Sequence, residues 1–110
     1  MPVAARAKVD ALSHDLGSQR RLAAALGVSP AQVSRWRRGQ GIDPENAERL
    51  DVLELVMSSL GRLYPRDVAE QWLFGLNPQL GFRRPIDVIR TGRAEELLAA
   101  IRAERAGSFA

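Results

Sequence analysis

Gln19-Arg-Arg-Leu-Ala-Ala-Ala-Leu-Gly-Val-Ser-Pro-Ala-Gln-Val-Ser-Arg-Trp36 decides the fold of this chain. The stretch reads as two short helices around one sharp turn. Ser18 is placed to cap the first, which runs over residues 19–26 with Leu22, Ala23 and Leu26 inward. Gly27 ends it and tolerates the positive φ that the turn requires. Ser29 opens the second helix, with Pro30 at its first position and Gln32 three residues on, the spacing of a capping box. Two helices that cross closely need a small residue in the first, which is Ala23. The second must be pinned by an apolar side chain, which is Val33, supported by Val28 and Trp36.

Outward from this stretch the chain is 110 residues long, enough for one compact domain or two very small units sharing a core. Hydrophobic residues make up 45% and charged residues 26%, a globular profile. Aromatics are only 5%, so the core rests on Leu, Val, Ile and Ala. The absence of cysteine excludes disulfides and thiolate metal sites. One histidine, His14, cannot build a metal cluster, and Ser13-His14-Asp15 are neighbours on a helix that point in different directions. There is no Gly-rich phosphate loop and no nucleophile with its base. The expectation is a regulator without metal or cofactor that acts by occupancy, not an enzyme. The longest mostly apolar run, residues 52–60, contains Glu54 and falls short of the roughly 18 apolar residues of a membrane span. Arg6, Lys8 and Asp10 break up the N-terminus, which argues against a secretory signal. A cytoplasmic location is expected.

The rest also reads as helix, with no sustained strand alternation. Residues 4–16 place Val9, Leu12 and Leu16 on one face. Asp43 and Pro44 open a long helix with Leu50, Leu53, Met57 and Leu60 at 3-4-3 spacing. Val52, Leu55 and Val56 widen that stripe beyond one contact face, which makes the helix a candidate dimer seam. Pro65 opens a helix containing Trp72, Pro85 opens another, and residues 94–105 form the last. An all-α architecture is therefore expected. A helix-turn-helix bundle occupies residues 1–44, a connecting or oligomerising helix residues 45–63, and a small helical domain residues 64–110.

Charge separates along these units. The first carries seven basic and three acidic side chains, the connecting helix is net negative, and the last is nearly balanced. Fifteen of the sixteen basic residues are Arg, which suits bidentate contact with phosphate or bases. The front motif resembles a helix-turn-helix of the Xre, lambda-repressor-like type. In such a motif the second helix enters the major groove. The outward positions are Ser29, Pro30, Ala31, Gln32 and Arg35. Gln32 can pair with adenine or serve only as the capping-box partner, and Arg35 can pair with guanine. Gln19, Arg20, Arg37 and Arg38 are placed to meet phosphates, or else form a solvated face.

Trp72-Leu-Phe-Gly-Leu-Asn-Pro78, Leu80-Gly-Phe-Arg-Arg-Pro-Ile-Asp-Val-Ile89, Thr91-Gly92 and the helix from Leu97 to Ile101 follow in an order that resembles the toxin-binding domain of the Xre/MbcA/ParS antitoxins. Leu76 departs from the pattern, where relatives often carry Pro. The resemblance implies a type II antitoxin that covers the active-site cleft of a RES-domain, NAD-degrading toxin and binds its own promoter DNA. It places the blocking element at the C-terminus: Gly107, Ser108, Phe109 and Ala110, with Arg102 and Arg105 nearby. The same tail also reads as a frayed terminus. Arg83 and Arg84 are further candidates for touching the toxin, or else belong to a solvated loop. A homodimer through the connecting helix is expected, because one recognition helix buries too little to be selective. The alternative is a stand-alone dimeric repressor without a toxin, and a third reading is a protein-binding adaptor without DNA binding.

Overall fold

A computed structural model gives the structure of residues 2–107, with residues 2–4 described by their backbone alone. Among the described residues seven α-helices follow one another: α1 (Pro2–Asp15), α2 (Gln19–Leu26), α3 (Pro30–Arg37), α4 (Pro44–Gly61), α5 (Arg66–Phe74), α6 (Pro85–Arg90) and α7 (Ala94–Gly107). A single 3-10 turn, Pro78–Leu80, lies between α5 and α6. The all-α expectation is met, with no strand among the described residues beyond an isolated bridge between Asn77 and Arg83.

The start signals read from the sequence act as side-chain caps. Ser18 accepts from the Arg21 amide, Ser29 from the Gln32 amide and Asp43 from the Asn46 amide, each at 3.1 Å. Each satisfies a backbone donor that the first helical turn leaves open. The capping box is only half made. Gln32 turns its side-chain oxygen to Arg35 Nη2 at 3.0 Å instead of back to the helix start.

One contiguous core runs through both halves of the chain. Val9, Leu12 and Leu16 of α1 meet Leu22 and Leu26 of α2, Val33 and Trp36 of α3, and Leu50, Leu53 and Leu60 of α4. Leu73, Leu80, Ile86, Ile89, Leu97 and Ile101 continue the same cluster. Helix α6 packs against α2, α4, α5 and α7, so the back half closes onto the front half instead of hanging from a linker.

The apolar stripe of α4 is mostly consumed by this core. Leu50, Leu53, Val56, Met57 and Leu60 are buried within the chain, and Val52 is half-buried. Leu55, 47% exposed, is the large aliphatic residue of that stripe left on the surface. The surplus that the sequence suggested is thus smaller than its pattern implied, because α4 is covered from the front by α1 and from the back by α5, α6 and α7.

Candidate functional site: a two-faced surface

The front face is built by α2 and α3. Gly27 takes a left-handed conformation (φ 73°) and donates back to the end of α2, which lets α3 leave at a sharp angle. Ser29, Pro30, Ala31 and Arg35 lie exposed along α3, and Gln32 is half-buried among them. Gln32 and Arg35 form a hydrogen-bonded pair on that outer surface. Trp36 is buried in the core, 2% exposed.

Two residues expected to meet phosphates also hold the two helices together. Gln19 Nε2 donates to the Pro30 carbonyl at 3.1 Å, and its side-chain oxygen accepts from Arg37 Nη1 at 2.9 Å. Arg37 Nε in turn donates to Asp10 at 2.6 Å. An unbroken chain therefore runs from α1 through α3 to α2. Arg38 donates to the Ser34 hydroxyl at 2.9 Å. Arg20 is exposed, with no ion-pair or hydrogen-bond partner among the described residues.

Arg6 is a further cation on this face. Its guanidinium lies against the backbone of Gly39, just past the end of α3. A Cβ at Gly39 would stand 2.7 Å from Arg6 Nη2. A side chain at that point would oblige the Arg6 guanidinium to shift, so the glycine lets the arginine from α1 lie close and adds a cation beside the exit of α3. No local motif announces it, because the pairing joins positions far apart in the chain.

On the back face the loop between α5 and α6 is a tight, self-supporting turn. Asn77 is 5% exposed, and its side-chain oxygen accepts from the Gln79 amide at 2.8 Å. Its backbone pairs with Arg83 and Phe82. Phe82 adopts a positive φ of 62° and leaves its ring 67% exposed, while Leu76 is 71% exposed. Arg83 is not a loose loop cation. It donates to the Leu80 carbonyl at 2.7 Å and to Glu96 of α7. That pairing holds the Glu96 carboxyl below the usual carboxylate range. Arg84 pairs with Asp87 at 3.1 Å.

Farther along α7, Tyr64 donates to Glu104, and this bond, with burial, raises the Tyr64 phenol above its ordinary range. Arg102 and Arg105 are exposed on the second half of α7, and Gly107 ends it. Ser108, Phe109 and Ala110 lie outside the described residues. Among the described residues no group of His, Asp or Glu is arranged to hold a metal ion, and no helix is long and apolar enough to cross a membrane.

Residues 17–51 match the helix-turn-helix family, a span that takes in α2, the turn, α3 and the start of α4. Across most of the chain the similarity is to a more specific group. The Mycobacterial cidal antitoxin MbcA of Mycobacterium tuberculosis is 39% identical over 85 residues, covering 76% of this chain and 75% of that protein. This chain belongs to the MbcA antitoxin family. A probable mycobacterial cidal antitoxin of the same organism is 39% identical over 93 residues, 84% of this chain and 79% of its own. Among solved structures, a chain of the M. tuberculosis MbcT–MbcA toxin-antitoxin complex superposes with a TM-score of 0.77 at 33% identity, covering 96% of each chain. The likeness thus spans both faces of this MbcA-family protein.

Proposed function

We propose that this chain is the antitoxin of a two-component module, with its two faces serving two partners. The back face docks on a RES-domain toxin that consumes NAD and covers its active-site cleft. The front face, as a homodimer, binds the promoter of its own operon in the cytoplasm. The observation that carries this reading is the match over 96% of the chain to a structure solved as a toxin-antitoxin complex. A helix-turn-helix match alone, over residues 17–51, would leave the second half of the protein without a purpose.

The DNA-reading role rests on few base contacts. Arg35 offers a planar donor fork suited to guanine, and Gln32 supplies an amide beside it. Pro30 and Ala31 offer only van der Waals surface. Arg20, Arg38 and Arg6 supply backbone contacts that fix orientation without reading sequence. Gln19 and Arg37 set the angle between the two helices that carry these groups. On the toxin side, Arg102, Arg105 and residues 107–110 form the blocking end, while Arg83 and Arg84 brace the turn that presents Phe82 and Leu76.

The test is co-expression with the adjacent gene. The reading expects a stable copurifying complex, rescue of growth, and a salt-sensitive shift of the operon's own promoter fragment. Operator binding without a complex would leave a stand-alone repressor, and a complex without DNA binding would leave an adaptor.

A further inference from the structure

A groove of about 140 Å³ opens between the C-terminal end of α4 and the second half of α7. Leu63, Leu98 and Ile101 give it an apolar floor, and Arg62, Arg102 and Arg105 stand around it. The floor continues the core, since Ile101 is only 7% exposed. Arg62 and Arg102 are exposed, with no ion-pair or hydrogen-bond partner among the described residues. Elsewhere the chain pairs Arg21 with Glu70, Arg37 with Asp10, Arg49 with Glu45 and Arg83 with Glu96. The acid nearest along α7, Glu104, is engaged by Tyr64. The groove is therefore apolar inside and positively charged at its rim.

We propose that this groove docks an acidic, amphipathic segment of the partner toxin. The inference rests on the antitoxin reading above and adds to it a surface, a residue, Arg62, and the chemistry of what sits there. Guanidinium groups bind carboxylates in pairs of parallel hydrogen bonds, and an apolar floor rewards a side chain inserted between them. A free phosphate would satisfy the arginines and leave the floor unused. A second copy of this chain is poorly suited. Most of its carboxylates are already paired, and those left over, Asp15, Glu48, Asp67 and Glu95, lie on four different helices. An acidic toxin segment that also carries an apolar side chain suits both the arginines and the apolar floor.

The experiment is calorimetric titration of the full-length chain against the toxin encoded beside it. The wild type is compared with the double variant Arg62→Glu/Arg102→Glu and with Arg62→Lys/Arg102→Lys. Both arginines are exposed, so the variants are expected to unfold thermally at the wild-type midpoint. The charge reversal is expected to weaken binding by about tenfold or more, and to flatten the fall of affinity with salt. The lysine pair is expected to retain most of the affinity. Unchanged toxin affinity in the reversed variant overturns the groove, even with the antitoxin reading intact. So does a change in sedimentation state with unaltered toxin binding, because the groove would then join two copies of this chain. A wild-type protein that fails to bind the toxin at all removes the antitoxin reading itself, and the groove with it.

Discussion

The guanidinium of Arg90, on α6, donates to the carbonyl of Ala24 in the last turn of α2, and its stem lies over Gly27. A Cβ at Gly27 would meet Arg90 Nε at 3.3 Å. The back half of the protein is thus keyed directly into the turn of the helix-turn-helix. Arg90→Ala is expected to cost about 1 kcal/mol or more, since it removes a charged hydrogen bond and the packing of the stem. Gly27→Ala strains a left-handed backbone position and crowds the same arginine, and a loss of about 1 kcal/mol or more is expected. Urea unfolding followed by circular dichroism checks both. Wild-type midpoints for both variants would show that the two halves are not coupled there.

The front face separates readers from positioners. Arg35→Ala is expected to weaken specific DNA binding by about 1–3 kcal/mol and to relax selectivity. Arg20→Ala is expected to weaken binding to every sequence alike and to lower the salt slope by about one. Arg37→Ala, which breaks the link from Asp10 to Gln19, is expected to lower thermal stability as well as DNA affinity. Titrations at several fixed salt concentrations, with paired melting curves, sort these outcomes. An Arg37→Ala protein with unchanged melting but a reduced salt slope would make Arg37 a phosphate contact instead.

The bond between Tyr64 and Glu104 gives an alkaline signature. The phenol is raised in the folded state, so its contribution is fully present below the ordinary tyrosine pKa of about 10 and is lost as pH rises through the folded value. Tyr64→Phe is expected to be less stable than wild type by about 1 kcal/mol at neutral pH. The gap should close above the folded pKa. Lys8 is also raised, chiefly by its bond to Asp51, and loses its share in the same direction. Comparing wild type with Tyr64→Phe at each pH cancels that term. A constant gap from pH 7 to strongly alkaline solution would contradict the assignment.

Removing residues 107–110 is expected to leave the fold intact, because α7 is anchored upstream by Leu97, Ala100 and Ile101. Neutralisation of the toxin is expected to fall. Growth protection equal to wild type, with normal melting of the truncated protein, would end the role of the tail.

Much of this was legible in the residues. Ser18, Ser29 and Asp43 sit one residue before their helices, and Pro30 and Pro44 sit at first helical positions, so the elements and their starts follow from local chemistry. The core faces of α1, α2 and α3 follow from spacing. What stayed hidden is pairwise and distant. Arg6 on Gly39, Arg90 on Ala24 and Gln19 on Arg37 join residues 18 or more positions apart, and periodicity carries no information about such partners. The α4 stripe was legible only in part for the same reason. Its width signalled contact on several sides, and only the packing shows that its own chain supplies most of that contact.

As proposed, this chain silences a toxin by occupying it. The most direct measurement is NAD consumption by the purified companion toxin as this protein is titrated in. NAD loss is expected to stop at a fixed molar ratio, and the Arg62→Glu/Arg102→Glu variant is expected to need more protein to reach it. Undiminished NAD loss at a large excess of the wild-type chain would contradict the proposal.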